Sequence, residues 1–257
     1  LADDEEAVLL FGVGLGEQLQ AVLNLPNGPS FIHVWEDDPW LLRKTLEQID
    51  LRAQIFAGRV ILYLGVDLAQ HRATLKALPR IRHPILKHLY TRTEAYLDEA
   101  EKADVCLMCN GGLFVEDCST ELSERGYQIY PWHSERLSTE ELEHIIDVLK
   151  PKLLFAINYR LGFQQVALKH EIPVICWEID PSLDAVPVAK SETPSLFVFS
   201  YRQASVDEFL HRGFSNVSFL PLATSPTRRH PLRESSDSQS PYSVQVAFVG
   251  ASMHQEG

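Results

Sequence analysis

The chain has 257 residues, enough for one large or two compact domains, and its 45% hydrophobic content is ordinary for a protein with a buried core. Its formal net charge of −12 argues against a nucleic-acid-binding surface, because phosphate contacts require clustered Lys and Arg. No apolar run reaches the roughly 18 residues of a membrane span and no signal-peptide pattern opens the chain. We therefore expect a cytoplasmic protein with no membrane span and no nucleic acid partner.

Strand and helix patterns alternate along the first third of the chain. Apolar runs predict three strands, AVLLFGV, FIHVW and RVILYLG. After the second strand, Asp38 is a predicted helix cap and Pro39 the first helical residue. The stretch 69–102 has a mixed pattern that predicts mostly helix, broken at Pro79 and Pro84.

The alternation restarts at Ala103 and continues for about 120 residues. Six further strands are predicted: ADVCLMC, YQIYPW, KLLFAIN, IPVICW, SLFVFS and NVSFLP. Between them, Ser138 and Glu141 form a capping box, and a Ser205 cap opens the last helix.

Strands separated by helices in this way imply parallel pairing through right-handed crossovers, with helices on both faces. The predicted fold class is therefore α/β, with two consecutive Rossmann-like parallel-sheet units. We predict a small unit over 1–82, a larger domain over 103–225, and a linker with the first strand of a truncated domain over 233–257. Because the chain opens on Leu1 and stops just after an apolar stretch, we expect it to be a fragment of a longer protein.

A glycine-rich turn follows the first strand, with Gly12, Gly14 and Gly16 two residues apart. In a dinucleotide or S-adenosylmethionine site such glycines let the backbone approach the ligand, and an acid about 20 residues on binds the ribose hydroxyls. Glu36 lies in that position. The spacing is closer to that of methyltransferases than to the dinucleotide fingerprint, since Leu19 stands where a later glycine would be. The alternative is a glycine corner that serves only helix-on-strand packing.

Polar and aromatic residues follow the strands of the second unit. In open parallel sheets, ligands bind outside the carboxyl ends of the strands. Aromatic rings, carboxylates, amides and guanidinium groups suit a carbohydrate or nucleotide-sugar ligand, although strand-to-helix loops are polar in any case. The candidate substrate-binding residues are Asn110, Gly111, Trp132, Asn158, Tyr159, Arg160, Tyr201 and Arg202, and the candidate catalytic residues are His133, Glu178 and Asp180.

Two families resemble parts of this chain. The F-G-x-G-x-G turn, the E-D-D-P segment and the later G-x-D resemble the amino-terminal Rossmann-like region of motility accessory factor proteins and of some bacterial glycosyltransferases, over roughly the first 70 residues. This resemblance implies a nucleotide-binding-like fold.

From Ala103 onward the chain resembles the CgeB-like (spore maturation protein) glycosyltransferases. The resemblance is carried by PVICWEIDPSLDAV, by SLFVFSYRQASVDEFLHRGFSNVSFLPLATSP and by YSVQVAFVGAS, in that order. The chain departs from the family at Ser200-Tyr201, where an acidic residue is frequent, and at Pro181, which directly follows Asp180. The resemblance implies a GT-B architecture without a bound metal, in which the carboxyl-terminal half holds the nucleotide-sugar.

We therefore expect the amino-terminal part of a bacterial enzyme that transfers a sugar from a nucleotide-sugar donor to a hydroxyl of a small-molecule, glycan or protein acceptor. Asp180 is the first candidate for the general base, followed by Glu178 and His133. The fragment alone, without a donor half, is expected to be inactive. Two alternatives stay open: an S-adenosylmethionine-dependent methyltransferase that uses the glycine turn and Glu36, and a non-catalytic module that binds a sugar or a protein.

Overall fold

The structure is a computed structural model that describes residues 7–109, 112–133, 138–180, 186–223 and 225. These residues form two sheets in which every strand pairing is parallel, with helices between the strands. The predicted α/β class with two Rossmann-like units is therefore confirmed. Both sheets lie in one compact unit, Leu1–Ala223, and Thr224–Gly257 is a second unit. The linker and strand predicted over 233–257 lie outside the described residues, and the predicted domain boundaries stay predictions.

The first sheet has four strands in the order β3-β2-β1-β4. The strands are β1 (Ala7–Phe11), β2 (Phe31–Glu36), β3 (Val60–Leu64) and β4 (Arg80–Arg82). Six helices accompany them: α1 (Glu17–Leu23), α2 (Pro39–Gln48), α3 (Arg52–Phe56), α4 (Asp67–Gln70), α5 (Arg72–Ala77) and α6 (Thr91–Asp98).

Strand β4 corrects the prediction that this sheet has three strands, whereas the stretch 69–102 is mostly helical and broken between Pro79 and Pro84, as predicted. Strand β4 pairs with β1 in parallel, with Leu9 opposite Arg80, and the backbone N–H of Leu9 donates to the carbonyl of Pro79. Three residues are too few to show the alternation that predicts a strand. This strand therefore forms because it pairs with the edge of β1, and not because of a pattern in its own residues.

The second sheet has six strands in the order β10-β9-β8-β7-β5-β6, which confirms the six predicted strands. They are β5 (Asp104–Cys109), β6 (Tyr127–Trp132), β7 (Leu153–Ile157), β8 (Val174–Glu178), β9 (Leu196–Ser200) and β10 (Asn216–Phe219). The intervening helices are α7 (Val115–Glu124), α8 (Thr139–Leu149), α9 (Phe163–His170) and α10 (Gln203–His211).

Two of the three predicted helix starts are confirmed. The Asp38 side chain accepts from the backbone N–H of Trp40, and the capping box of Ser138 is complete. The predicted Ser205 cap is wrong, because α10 begins two residues earlier, at Gln203. Ser205 is instead buried inside the first turn, where its N–H donates to the carbonyl of Arg202.

Alternating side chains of each sheet face two different cores. Leu9 and Phe11 of β1 belong to a core that both sheets share, together with Leu107 and Cys109 of β5. The intervening residues of these two strands pack into separate outer cores. This period of two follows from the pleat of the strands. Within the described residues, no helix is both long enough and apolar enough to cross a membrane.

Each sheet has one point at which the strand order reverses. In the first sheet this point lies between β1 and β4, and in the second it lies between β5 and β7. In open α/β sheets, ligands bind in the crevice at such a point, outside the carboxyl ends of the strands. The topology therefore offers two places for a ligand. The side chains at each place determine whether it is open to one.

Candidate functional site

The glycine turn at the first reversal point is covered by side chains of the chain itself. Gly12, Gly14 and Gly16 all have positive φ, between 57° and 91°. A Cβ atom built on Gly14 would lie 2.4 Å from Nε2 of His83, which follows β4, and one built on Gly16 would lie 2.5 Å from Cδ1 of Ile49. These glycines allow other atoms to come close to the backbone, and side chains of the protein occupy that space.

The carboxylate of Glu36 occupies the position of an anion beside this turn. Glu36 is fully buried, and its Oε2 accepts from the backbone N–H groups of Val13 and Gly14 at 2.9 and 3.3 Å. Its Oε1 accepts from the N–H groups of Asp37 and Asp38 at 2.9 and 3.1 Å. In a nucleotide site, amides at a helix start face a phosphate. Here the protein supplies its own negative charge to them.

A tyrosine completes the surroundings of this carboxylate. The buried Tyr90 hydroxyl donates to Oε1 of Glu36. Burial, and then the charge of Glu36, raise the pKa of Tyr90 far above its usual range, so the hydroxyl keeps its proton. A ribose hydroxyl would have to displace one of these donors to reach Glu36. The cofactor-binding prediction for the three glycines and Glu36 stays a prediction, and the geometry favours the packing alternative.

A different arrangement, organised by Asn158, lies at the carboxyl ends of β7 and β8, one strand away from the second reversal point. This residue follows β7 directly and has a φ of 64°, a left-handed conformation that Asn tolerates better than most residues. Its Oδ1 accepts from the backbone N–H groups of Ile179 and Asp180 at 2.9 and 3.4 Å. Its Nδ2 donates to Oδ2 of Asp180 at 2.5 Å. Asn158 therefore joins the end of β7 to the end of β8 and orients the Asp180 carboxylate.

Glu178 is the buried carboxylate of this region. It is the last residue of β8, and its Oε1 accepts from the backbone N–H of Tyr159. Burial raises the pKa of Glu178 above its usual range; the hydrogen bond from Tyr159 opposes the shift, Asp180 adds to it and Arg160 opposes it. Two carboxylates with different surroundings thus lie at neighbouring positions, one buried and one exposed.

These residues line a cleft of about 290 Å³. Its volume is close to the lower end for ligand pockets, about 300 Å³, and it combines two carboxylates and a guanidinium with aromatic surface. The Tyr159 ring packs edge-to-face on the Phe209 ring, with centroids 6.0 Å apart. The described lining residues are Asn158, Tyr159, Arg160, Glu178, Asp180, Val186 and Phe209. Five of these seven are predicted site residues.

Arg160 also lines a smaller chamber of about 50 Å³, together with Trp132, Ser138 and Thr139. The indole N–H of Trp132 is buried and finds no acceptor among the described residues. A buried donor without an acceptor costs about 1 to 3 kcal/mol. Trp132 does not line the cleft, and Arg160 is the residue that lines both the cleft and the chamber.

The other predicted site residues do not line the cleft within the described part of the chain. His133 follows β6, and its Nε2 lies 3.8 Å from Oδ2 of Asp37, so this pair links the carboxyl edges of the two sheets. Tyr201 and Arg202 lie between β9 and α10, where the N–H of Arg202 donates to the Ser200 hydroxyl. Asn110 and Gly111 lie outside the described residues.

Two lining residues have no signal in the sequence. Phe209 lies on the inward face of α10, where an apolar residue predicts only core packing. Val186 follows β8 at a distance and sits in a segment without periodicity. A search of the residues that directly follow strands therefore misses cleft residues that a helix or a more distant segment contributes.

We expect a Glu178→Gln substitution to change the pH dependence of stability. Because burial raises the folded-state pKa of Glu178, the folded state holds this proton more tightly than the unfolded chain. Its contribution is fully present below the unfolded value of about 4.5 and is lost as pH rises through the folded value. The Gln variant should therefore gain stability relative to the wild type as pH rises, measured by urea unfolding at a series of pH values.

Glu47→Gln is the control with the opposite sign. Hydrogen bonds from Lys44 and Arg43 lower the pKa of the exposed Glu47, so its contribution is present at neutral pH and lost on acidification. A difference between Glu178→Gln and wild type that stays flat with pH would contradict the assignment.

Searches against models of known protein families, curated proteins and solved structures find no match to this chain.

Proposed function

We propose that this chain supplies the acceptor-binding half of a glycosyltransferase, and that the cleft at the carboxyl ends of β7 and β8 binds a sugar or another hydroxyl-bearing acceptor. The observation that carries the proposal is the Asn158 bridge, which holds Asp180 at the mouth of a cleft with a buried second carboxylate and an aromatic wall. The topology adds support, since the cleft lies at the carboxyl ends of parallel strands, the edge at which open α/β sheets bind ligands.

The cleft matches the chemistry of a sugar. Sugar hydroxyls donate to carboxylates and accept from guanidinium groups, which Asp180 and Arg160 provide. The apolar C–H face of a sugar ring packs on aromatic surface, which Tyr159 and Phe209 provide. Glu178 is buried and holds the backbone of Tyr159, so its role is to position this wall.

In the proposed reaction, the acceptor oxygen attacks the anomeric carbon of a nucleotide-sugar. A new C–O bond forms, the bond between the anomeric carbon and the donor phosphate oxygen breaks, and the nucleoside diphosphate leaves with that electron pair. Asp180 takes the proton of the acceptor hydroxyl as general base, which requires hydrogen-bond contact with that hydroxyl. The donor half predicted to begin within 233–257 lies outside the described residues, so the test concerns acceptor binding.

We expect the 257-residue chain to bind a neutral monosaccharide or disaccharide in a calorimetric titration with a panel of such sugars. Asp180→Asn should weaken the binding at least tenfold, about 1.4 kcal/mol, because the amide loses the charge that accepts from sugar hydroxyls. Asp147→Asn, an exposed carboxylate on α8, is the matched control and should leave affinity unchanged. Equal affinities of the two variants, or no sugar binding by the wild type, would contradict the proposal.

A further inference from the structure

We infer that the chain has a second ligand site, for a small phosphate-bearing anion, at the opposite edge of the second sheet. A cavity of about 580 Å³ lies between helices α4 and α5 on one side and the amino ends of β5 and β6 with α8 on the other. Its lining residues differ entirely from those of the acceptor cleft. The inference therefore does not depend on the proposed function.

Three cations line this cavity in a chain whose formal net charge is −12. Arg72, Lys76 and Lys102 hydrogen-bond to carbonyl, amide and hydroxyl oxygens. Among the described residues, none of them has a carboxylate within ion-pair distance. Glu101 is the one acid among the described lining residues, and it is exposed. The cavity wall thus carries an excess of positive charge.

Hydrogen-bond donors on this wall exceed the acceptors that they contact. Arg72 has five N–H donors, and three of its nitrogens contact the carbonyls of Tyr96 and Glu99 and the Oε1 of Gln128. The ammonium of Lys76 contacts one carbonyl, that of Glu99, at 2.6 Å. Gln128 is 1% exposed, and its Nε2 has no acceptor among the described residues. An anion with several oxygens would accept from the remaining N–H donors of Arg72 and Lys76.

The side chains on this wall are of the kind that binds phosphate. A guanidinium binds phosphate oxygens through two parallel N–H bonds, and an ammonium adds a point charge. Arg72 is held in place beforehand, because its guanidinium lies over the Tyr96 ring at 4.8 Å from the centroid and contacts two backbone carbonyls. The volume lies in the range of about 300 to 1,000 Å³ that holds small molecules. The cavity therefore fits a phosphorylated metabolite rather than a single free ion.

The test uses inorganic pyrophosphate as the probe in a calorimetric titration of the 257-residue chain. We expect saturable binding of one pyrophosphate per chain, weakened at least tenfold by Lys76→Gln. Lys76 is exposed, so this variant keeps the fold. Arg72→Lys should also weaken binding, because it keeps the charge but loses the fork. Circular dichroism verifies that both variants are folded.

Two control variants separate this site from others. Lys44→Gln removes an exposed lysine on α2, and Arg160→Gln removes the guanidinium of the acceptor cleft. Both should bind pyrophosphate as the wild type does. The inference is overturned if binding does not saturate by about 10 mM, tenfold above a millimolar Kd, if Lys44→Gln weakens it as much as Lys76→Gln, or if only Arg160→Gln weakens it.

Discussion

Replacing Glu36 by Ala is expected to lower the free energy of unfolding by about 3 to 5 kcal/mol. The substitution removes the acceptor of five donors: four backbone N–H groups around the glycine turn and the hydroxyl of Tyr90. Each buried donor left without a partner costs about 1 to 3 kcal/mol, reduced where water or a relaxed backbone can replace the carboxylate. Urea unfolding followed by circular dichroism at neutral pH measures the change.

Two further variants show where this energy resides. Tyr90→Phe removes one donor and keeps the carboxylate, so we expect a loss of about 1 kcal/mol. Glu47→Gln alters an exposed carboxylate of α2 and should leave the free energy of unfolding at neutral pH almost unchanged. If Glu36→Ala lost less than about 1 kcal/mol, its carboxylate would be available to a ligand, and the nucleotide-binding interpretation of the turn would regain support.

Replacing Asn158 by Gly is expected to weaken sugar binding at least tenfold. Gly accepts the left-handed backbone at this position, so the variant removes the side-chain hydrogen bonds without adding strain. Asp180 then loses the amide that orients it, and the buried N–H of Ile179 loses its acceptor, at a cost of about 1 to 3 kcal/mol in stability. Calorimetric titration with the tightest-binding sugar of the panel measures the first effect and urea unfolding the second.

Asn158→Asp tests the same bridge through charge. The new carboxylate keeps an acceptor for Ile179 but faces Asp180 where an amide now donates at 2.5 Å. Two carboxylates this close share a proton, so the pair titrates at higher pH than either acid alone. We expect weak sugar binding at neutral pH and partial recovery under mildly acidic conditions. Wild-type affinity in both Asn158 variants would mean that the bridge does not organise the cleft.

Much of the second sheet and its cleft could be predicted from the sequence. Its strands are apolar runs separated by helices with recognisable caps, and parallel pairing brings their carboxyl ends to one edge. Asn158, Glu178 and Asp180 each follow or end a strand, so the topology alone predicts their proximity. The hydrogen bonds between Asn158 and Asp180 could not be predicted. Nothing in the sequence distinguishes an Asn that binds Asp180 from one that faces solvent.

The first sheet shows the limit of motif reasoning. An acidic residue at the end of β2 has the spacing from the glycines that is typical of a ribose-binding acid. This spacing is the same whether the acid faces a nucleotide or the backbone of the turn. The position of His83 favours packing, since it covers Gly14 from the end of the neighbouring strand β4. It reaches that place only because β4 pairs with β1, and β4 has no signal of its own in the sequence.

The proposed function requires that a sugar binds at the carboxyl ends of β7 and β8 and not at the glycine turn. The most direct test is an NMR titration of the isotopically labelled chain, in which backbone amide shifts are followed as sugar is added. The account predicts concentration-dependent shifts for the amides of residues 158–160 and 178–180, with those of residues 12–16 unmoved. Shifts confined to residues 12–16 and 36–38 on addition of S-adenosylmethionine or a nucleotide, with no response to any sugar, would contradict it.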